Sequence, residues 1–232
     1  MFDNYLVVIP TYNESGNIEN LINKLSQYNF HILVVDDNSP DKTFNIVEKN
    51  KCYGKNLFAI LRKKNRGYGK SVIEGFKYGI EKNYDYIVQM DSDFSHRIED
   101  LLPMCKLSKN YDMVIGSRYI SGGKVNGWGL YRKFLSKYAN VFAKNITNSN
   151  INDLTTGFRI YSKNLINSID FQSIKSNGYS FLVEIIHRID KDNYKIVEYP
   201  ITFVDREIGK SKMSLKIIFE SFFRLLKIYF NK

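Results

Sequence analysis

A chain of 232 residues, 44% hydrophobic and 25% charged with four prolines and fourteen glycines, can bury one sizeable core, which excludes fibrous, low-complexity and disordered classes. Its 34 Lys and Arg outnumber its 24 Asp and Glu, and the net +10 favours anionic partners: nucleotide phosphates, nucleic acid or an anionic membrane surface. With only Cys52 and Cys105, a disulfide framework or a cysteine zinc site is not expected, and a reducing compartment is.

The first residues run straight into a strand pattern without a basic or long apolar leader, so no signal peptide is expected. No run of about 18 uninterrupted apolar residues predicts a membrane-spanning helix. Apolar runs at 6–10, 32–37, 57–61, 86–91 and 113–117 predict buried strands, and 15–28, 40–50, 70–82 and 98–109 between them predict helices. That alternation implies an α/β fold with a mostly parallel sheet flanked by helices. Further on, 130–147 and 180–188 read as helical, 157–161 and 196–203 as extended. No repeat or linker divides the chain, which predicts one domain over 1–212 and an amphipathic helix over 213–232.

Polar clusters follow the apolar runs: Thr11-Tyr12-Asn13-Glu14, Asp36-Asp37-Asn38-Ser39, Asp91-Ser92-Asp93 and Ser117-Arg118. Ligands of parallel sheets gather at the carboxyl ends of strands, so four such ends predict one shared site. Asp91 and Asp93 suit a hard divalent cation held against a diphosphate, or form a plain strand-end turn. Asp190-Lys191-Asp192 repeats the spacing at a helix end and reads as surface. Of Asp36 and Asp37, one carboxylate suits a ribose or base, while Ser39, Pro40 and Asp41 suit a helix start. Gly67-Tyr68-Gly69-Lys70-Ser71 lacks the glycine of a phosphate-binding loop at position 64 and reads as a turn opening a helix. Gly209-Lys210-Ser211 fails the same spacing.

Arg118, Arg132, Arg159, Arg206 and Lys212 stand in polar or glycine-containing contexts, where guanidinium forks suit phosphate groups. The histidines make no catalytic set: His31 and His187 read as structural, and His96 lies near the Asp pair. No nucleophile motif appears, so the chemistry rests on cations. In 214–232, Lys216, Glu220, Arg224 and Lys227 share one stripe of an otherwise apolar helix. Membrane interface, partner docking and core packing all fit that helix.

Pro10-Thr11-Tyr12-Asn13-Glu14, Asp36-Asp37-Asn38-Ser39-Pro40-Asp41 and Met90-Asp91-Ser92-Asp93-Phe94-Ser95-His96 together resemble family-2 glycosyltransferases of the GT-A fold. Gly116-Ser117-Arg118-Tyr119, Gly127-Trp128 with Arg132 and Ser136, Asp153 to Arg159, and Pro200 to Lys212 narrow the resemblance to dolichol-phosphate (polyprenol-phosphate) mannosyltransferases. It implies transfer of mannose from GDP-mannose to dolichyl or polyprenyl phosphate with inversion, giving a β-linked mannosyl phospholipid. Pro10, Tyr12, Glu14, Val35, Asp37, Ser92, Arg206 and Lys212 would then bind the donor. Asp91 and Asp93, with Ser95, would hold Mg²⁺ or Mn²⁺, and Arg118, Arg132 and Ser136 would receive the lipid phosphate. Asp91, Asp93 and Arg118 would carry the catalysis. It further implies a peripheral place on the cytosolic face of a membrane and a small membrane-anchoring subunit. UDP-glucose is the alternative donor. A nucleic-acid binder is the remote alternative, disfavoured by the carboxylates at the strand ends.

Overall fold

The computed structural model describes residues 2–176, 178–189 and 193–206. In chain order the elements are β1 (Tyr5–Thr11), α1 (Ile18–Ser26), β2 (His31–Asp36), α2 (Thr43–Glu48), β3 (Leu57–Leu61), α3 (Tyr68–Glu81), β4 (Tyr86–Gln89) and α4 (Ile98–Leu107). Then come β5 (Met113–Ser117), β6 (Lys124–Asn126), α5 (Leu130–Thr147), β7 (Arg159–Ser162), α6 (Lys163–Ser168), α7 (Tyr179–Arg188), β8 (Ile196–Pro200) and β9 (Thr202–Val204).

Seven strands form one sheet in the order β3-β2-β1-β4-β7-β5-β8, with β7 antiparallel to both its neighbours and the other pairs parallel. β6 and β9 pair in parallel as a separate ribbon. β1, β2 and β5 have largely apolar interiors because both faces are covered, while β4 and β7 also bury Gln89 and Arg159. Tyr5, Val7 and Ile9 of β1 join Ile18, Leu21 and Met104 on one face, while Leu6 and Val8 join Val72, Phe76 and Phe181 on the other. Each fully buried Val, Leu, Ile or Phe contributes about 1.5–3 kcal/mol. In α1 the buried Ile18, Leu21, Ile22 and Leu25 recur at helical spacing, so one face docks and the rest meets solvent. α3 packs closer still: a Cβ at Gly75 would lie 2.2 Å from Val8 Cγ1.

The chain works outward from β1 to β3 and then sets β4 on the other side of β1. Strand order reverses there, and a ligand crevice is expected outside the carboxyl ends of β1 and β4. The five early strands and four early helices stand where the apolar runs predict them, with ends that shift by a few residues: β1 extends to Tyr5–Thr11, α3 begins already at Tyr68, β2 stops at Asp36 and β4 at Gln89. The extended stretch at 196–203 is two strands, divided at Ile201, whose N–H donates to Ser117 O. The predicted helix over 213–232 and the pair Asp190 and Asp192 lie outside the described residues, as does Lys212.

Candidate active site

The ends of β1 and β2 are tied to each other first. Thr11 Oγ1 donates to Asp36 Oδ2 at 2.9 Å, and Ser39 donates to the same carboxylate through N (2.8 Å) and Oγ (2.5 Å). Asp36 is fully buried and holds this turn. Asp41 anchors the next one, accepting from Thr43 N and Oγ1 and from Ser15 N. Asp37, one residue further out, accepts from Arg62 Nη1 at 2.5 Å and from Gly67 N at 2.6 Å. Pro10 is half-buried, opposite Val35 in register, and the Val35 side chain belongs to the core. Tyr12 is exposed, with the Arg66 guanidinium 6.0 Å from its ring centre. Glu14 is buried, accepts from Asn17 Nδ2 at 3.1 Å, and its own N–H donates to Thr43 Oγ1.

The second part follows β4. Phe94 adopts a left-handed backbone (φ 61°), a strained choice for an aromatic residue. The turn brings Ser95 back onto Asp93, whose Oδ1 accepts from Ser95 N (3.1 Å) and Oγ (2.6 Å). Arg206 Nη2 lies 2.9 Å from Asp93 Oδ2. Burial acts to raise the Asp93 carboxyl, but the Ser95 hydrogen bonds and the Arg206 charge outweigh it and hold the pKa below the usual value. Asp91 goes the other way: burial pushes it up, and the Asp93 charge adds to that. Asp91 Oδ1 accepts from Tyr68 OH at 3.2 Å.

His96 is buried and stacked on Phe158, 4.7 Å between ring centres. Its Nδ1 accepts from Asp91 N at 3.1 Å, so Nε2 carries the proton, 3.8 Å from Asp91 Oδ2. Burial pushes its pKa down and leaves the ring neutral at pH 7. The donor set here is two carboxylates from one strand end. Among the described residues no three His, Cys, Asp or Glu side chains converge to hold a metal. That arrangement fits Mg²⁺ or Mn²⁺, which bind through one or two carboxylates and complete their shell with phosphate oxygens and water. Ser92 is buried beside the pair.

The third part follows β5. The Arg118 fork grips Asp153 through Nε (2.6 Å) and Nη2 (2.7 Å), and Nη2 also donates to Thr155 Oγ1 at 2.8 Å. Tyr119, Trp128 and Phe203 surround the guanidinium, their ring centres 5.2–5.5 Å away. Arg132 stacks on Trp128 at 4.1 Å and donates to Asp205 Oδ1 at 3.1 Å. Ser136 Oγ accepts from Tyr119 OH at 2.7 Å. Arg118, Arg132 and Ser136 are therefore gathered around one aromatic cluster, with both guanidiniums already on carboxylates. Arg159 is a correction: it is fully buried and donates to Leu182 O and Leu154 O, because β7 turns it inward, away from the phosphate chemistry read for it.

Beside Arg118 a cleft of about 420 Å³ opens between β6 and α5. Lys124, Lys133 and Lys137 line it together with Leu130 and Phe134, and no acidic side chain does among the described residues. None of these lysines makes an ion pair with another described residue. Along α5, Leu130 (85%), Tyr131 (76%), Phe134 (61%), Tyr138 and Val141 stand exposed. Sequence reasoning missed this face because the exposed apolar residues of α5 have the spacing of a core stripe. It also missed Arg62, although Arg62 follows an apolar run just as Arg118 does.

The fold places these three strand-end clusters together, and sequence comparison supplies the class and the family. Residues 6–170 match the model described as Glycosyl transferase family 2, and the chain belongs to that family. It is 35% identical over 224 residues to polyprenol monophosphomannose synthase of Mycolicibacterium smegmatis, covering 95% of this chain and 84% of that protein. It is 37% identical over 218 residues to undecaprenyl-phosphate mannosyltransferase of Micrococcus luteus, covering 93% and 90%. The GT-A fold expected from the motifs is the fold observed. Glucosyl-3-phosphoglycerate synthase of Mycobacterium tuberculosis with Mn²⁺, UDP and glucosyl-3-phosphoglycerate superposes at a TM-score of 0.68 with 15% identity, covering 97% of this chain and 77% of that one. The same enzyme with Mn²⁺, UDP-glucose and phosphoglyceric acid gives 0.65, covering 98% and 78%.

Proposed function

We propose that this chain transfers mannose from GDP-mannose to dolichyl or another polyprenyl phosphate, inverting the anomeric centre. The observation that carries the reading is a pair of unlike sites, joined through His96, in a chain similar along its length to two polyprenyl-phosphate mannosyltransferases. His96 lies 3.8 Å from Asp91 and 6.0 Å from the Phe203 ring, itself 5.4 Å from the Arg118 guanidinium. One site is a strand-end carboxylate pair, suited to a diphosphate through a divalent cation. The other is a basic cleft lipped by exposed apolar side chains, suited to an anionic head on an apolar tail.

The attacking group on this reading is a phosphomonoester, whose second pKa near 6 leaves it largely ionised at pH 7. It needs positioning more than deprotonation, which agrees with a neutral His96 turned toward Asp91 and with the absence of a nucleophile motif. Pro10, Tyr12, Glu14 and Asp37 sit on the nucleoside side, with Val35 beneath. Asp91 and Asp93 would hold Mg²⁺ or Mn²⁺, with Ser92 beside them and Ser95 bracing Asp93, and Arg206 and Lys212 would pair with the donor phosphates. Such an ion supplies neutralisation of the charge gathering on the departing diphosphate. Arg118, Arg132 and Ser136 border the acceptor side, and Lys124, Lys133 and Lys137 supply cations that pair with no carboxylate among the described residues.

No helix among the described residues is long and apolar enough to cross a membrane. The exposed face of α5, apolar beside lysines, suits the headgroup boundary of an anionic bilayer. We place the enzyme peripherally on a cytosolic membrane face, with a small membrane subunit as a further partner of 213–232. Purified chain offered GDP-mannose or UDP-glucose with a short polyprenyl phosphate, with Mn²⁺ or with EDTA, tests the reading. Mannolipid formed only with metal supports it. Glucolipid alone would overturn the donor, and salt-sensitive RNA binding without transfer would overturn the class.

A further inference from the structure

The turn Gly67-Tyr68-Gly69-Lys70-Ser71 has no part in the chemistry above, yet it touches both carboxylate sites. Gly67 N–H donates to Asp37, and one residue on, Tyr68 OH donates to Asp91 Oδ1. Behind Tyr68 runs a buried polar chain: Gln89 Nε2 donates to Tyr68 OH at 2.9 Å, and Tyr161 OH donates to Gln89 Oε1 at 3.0 Å. Gln89 and Tyr161 are both fully buried.

The direction of this chain is forced from its outer end. A carboxylate able to bind a cation has no proton to give, so the Tyr68 hydroxyl must donate to it. Its oxygen must then accept from Gln89, which turns the amide nitrogen toward Tyr68 and the amide oxygen toward Tyr161. Every group on the path has its partner, and no second arrangement satisfies all of them. The backbone makes room for it as well. A Cβ at Gly157 would lie 2.4 Å from Tyr68 OH and 3.4 Å from Asp91 Oδ1, so only glycine leaves that hydroxyl its seat. Gly69 lets the same turn press on α7, where a Cβ would meet Phe181 Cγ at 2.7 Å.

We infer that Tyr68 is a positioning residue for Asp91: with Gln89 and Tyr161 behind it, its hydroxyl fixes one carboxylate oxygen and so sets the rotamer in which Asp91 meets a divalent cation. The inference rests on the reading of Asp91 as a metal carboxylate. Because Gly67, the residue that leads into α3, also holds Asp37, the nucleoside and diphosphate ends of the donor site are gauged from one helix start.

The test is a Mn²⁺ titration of the full chain with GDP present, free Mn²⁺ being read by electron paramagnetic resonance, for wild type, Tyr68→Phe and Asp91→Asn. Phenylalanine keeps the ring and removes only the donor. Mn²⁺ affinity is expected to fall about tenfold in Tyr68→Phe, as is usual when an outer-shell partner of a ligand is lost. GDP binding in EDTA should stay at the wild-type level, and Asp91→Asn should lose the metal more completely. Wild-type Mn²⁺ affinity in Tyr68→Phe beside a weakened Asp91→Asn would overturn the positioning role alone. Equal loss of GDP binding in EDTA would show a general structural defect and overturn it too. Wild-type affinity in Asp91→Asn would instead remove the metal reading on which it stands.

Discussion

Asp153→Ala tests how firmly Arg118 is committed. Asp153 is fully buried, and the Arg118 side chain is 6% exposed. Three donors from Arg118 reach the carboxylate, at 2.6, 2.7 and 3.0 Å. Removing it leaves the buried guanidinium without its carboxylate, and breaking a buried pair in this way costs about 3–5 kcal/mol. At about 2–4 °C per kcal/mol for a chain of this size, the melting temperature should fall by roughly 10 °C. Urea unfolding followed by the single tryptophan, Trp128, reports the change from within the cluster. The pH dependence has a definite sign. Burial acts to raise the Asp153 carboxyl, but the Arg118 charge and hydrogen bonds outweigh it and hold the folded pKa below the usual value. Its contribution is therefore complete above the unfolded value of about 3.9 and is lost as pH falls through the lower folded one. The stability gap between wild type and Asp153→Asn should hold from pH 7 to about 4 and close below that. A loss under about 1 kcal/mol, or a gap that persists in acid, would refute the buried pair as the anchor of this cluster.

Other expectations follow from the site. Asp93→Ala should cut metal-dependent transfer by roughly 10²-fold or more while the chain stays folded; near-normal turnover would mean that the cation is held elsewhere. Lys133→Ala with Lys137→Ala should raise the lipid phosphate concentration needed for half-maximal rate and leave GDP affinity unchanged, whereas equal loss of both would contradict a cleft specific to the acceptor. Leu130→Ser with Phe134→Ser should weaken sedimentation with anionic vesicles without lowering the melting temperature, since both side chains are mostly exposed. Unaltered sedimentation would remove α5 from the membrane face.

The sheet was legible because β1, β2 and β5 are buried on both faces and read as largely apolar runs. The helices between them were legible from spacing such as Ile18, Leu21, Ile22 and Leu25. What escaped depends on contacts distant in sequence. β6 is a three-residue strand formed only where 202–204 lies beside it, and β7 runs antiparallel because its pairing is set by β4 and β5 rather than by its own pattern. Within the site, residue types at the strand ends were readable, but their partners were not. Nothing in Asp36-Asp37 says that the first would hold a turn and the second would meet Arg62. Nor does the Arg118 motif reveal that Asp153, 35 residues on, already fills its fork. The exposed face of α5 was hidden for a different reason: periodicity shows that apolar residues share a side and not what covers it.

Anomeric configuration is the most direct measure of the central claim, a single displacement by a lipid phosphate at the β4 carboxylates with no enzyme nucleophile. Nuclear magnetic resonance of the lipid formed from GDP-mannose and a short polyprenyl phosphate should show the β-mannosyl phosphate alone. An α-linked product, or no mannosyl lipid from an active preparation supplied with Mn²⁺, would contradict it.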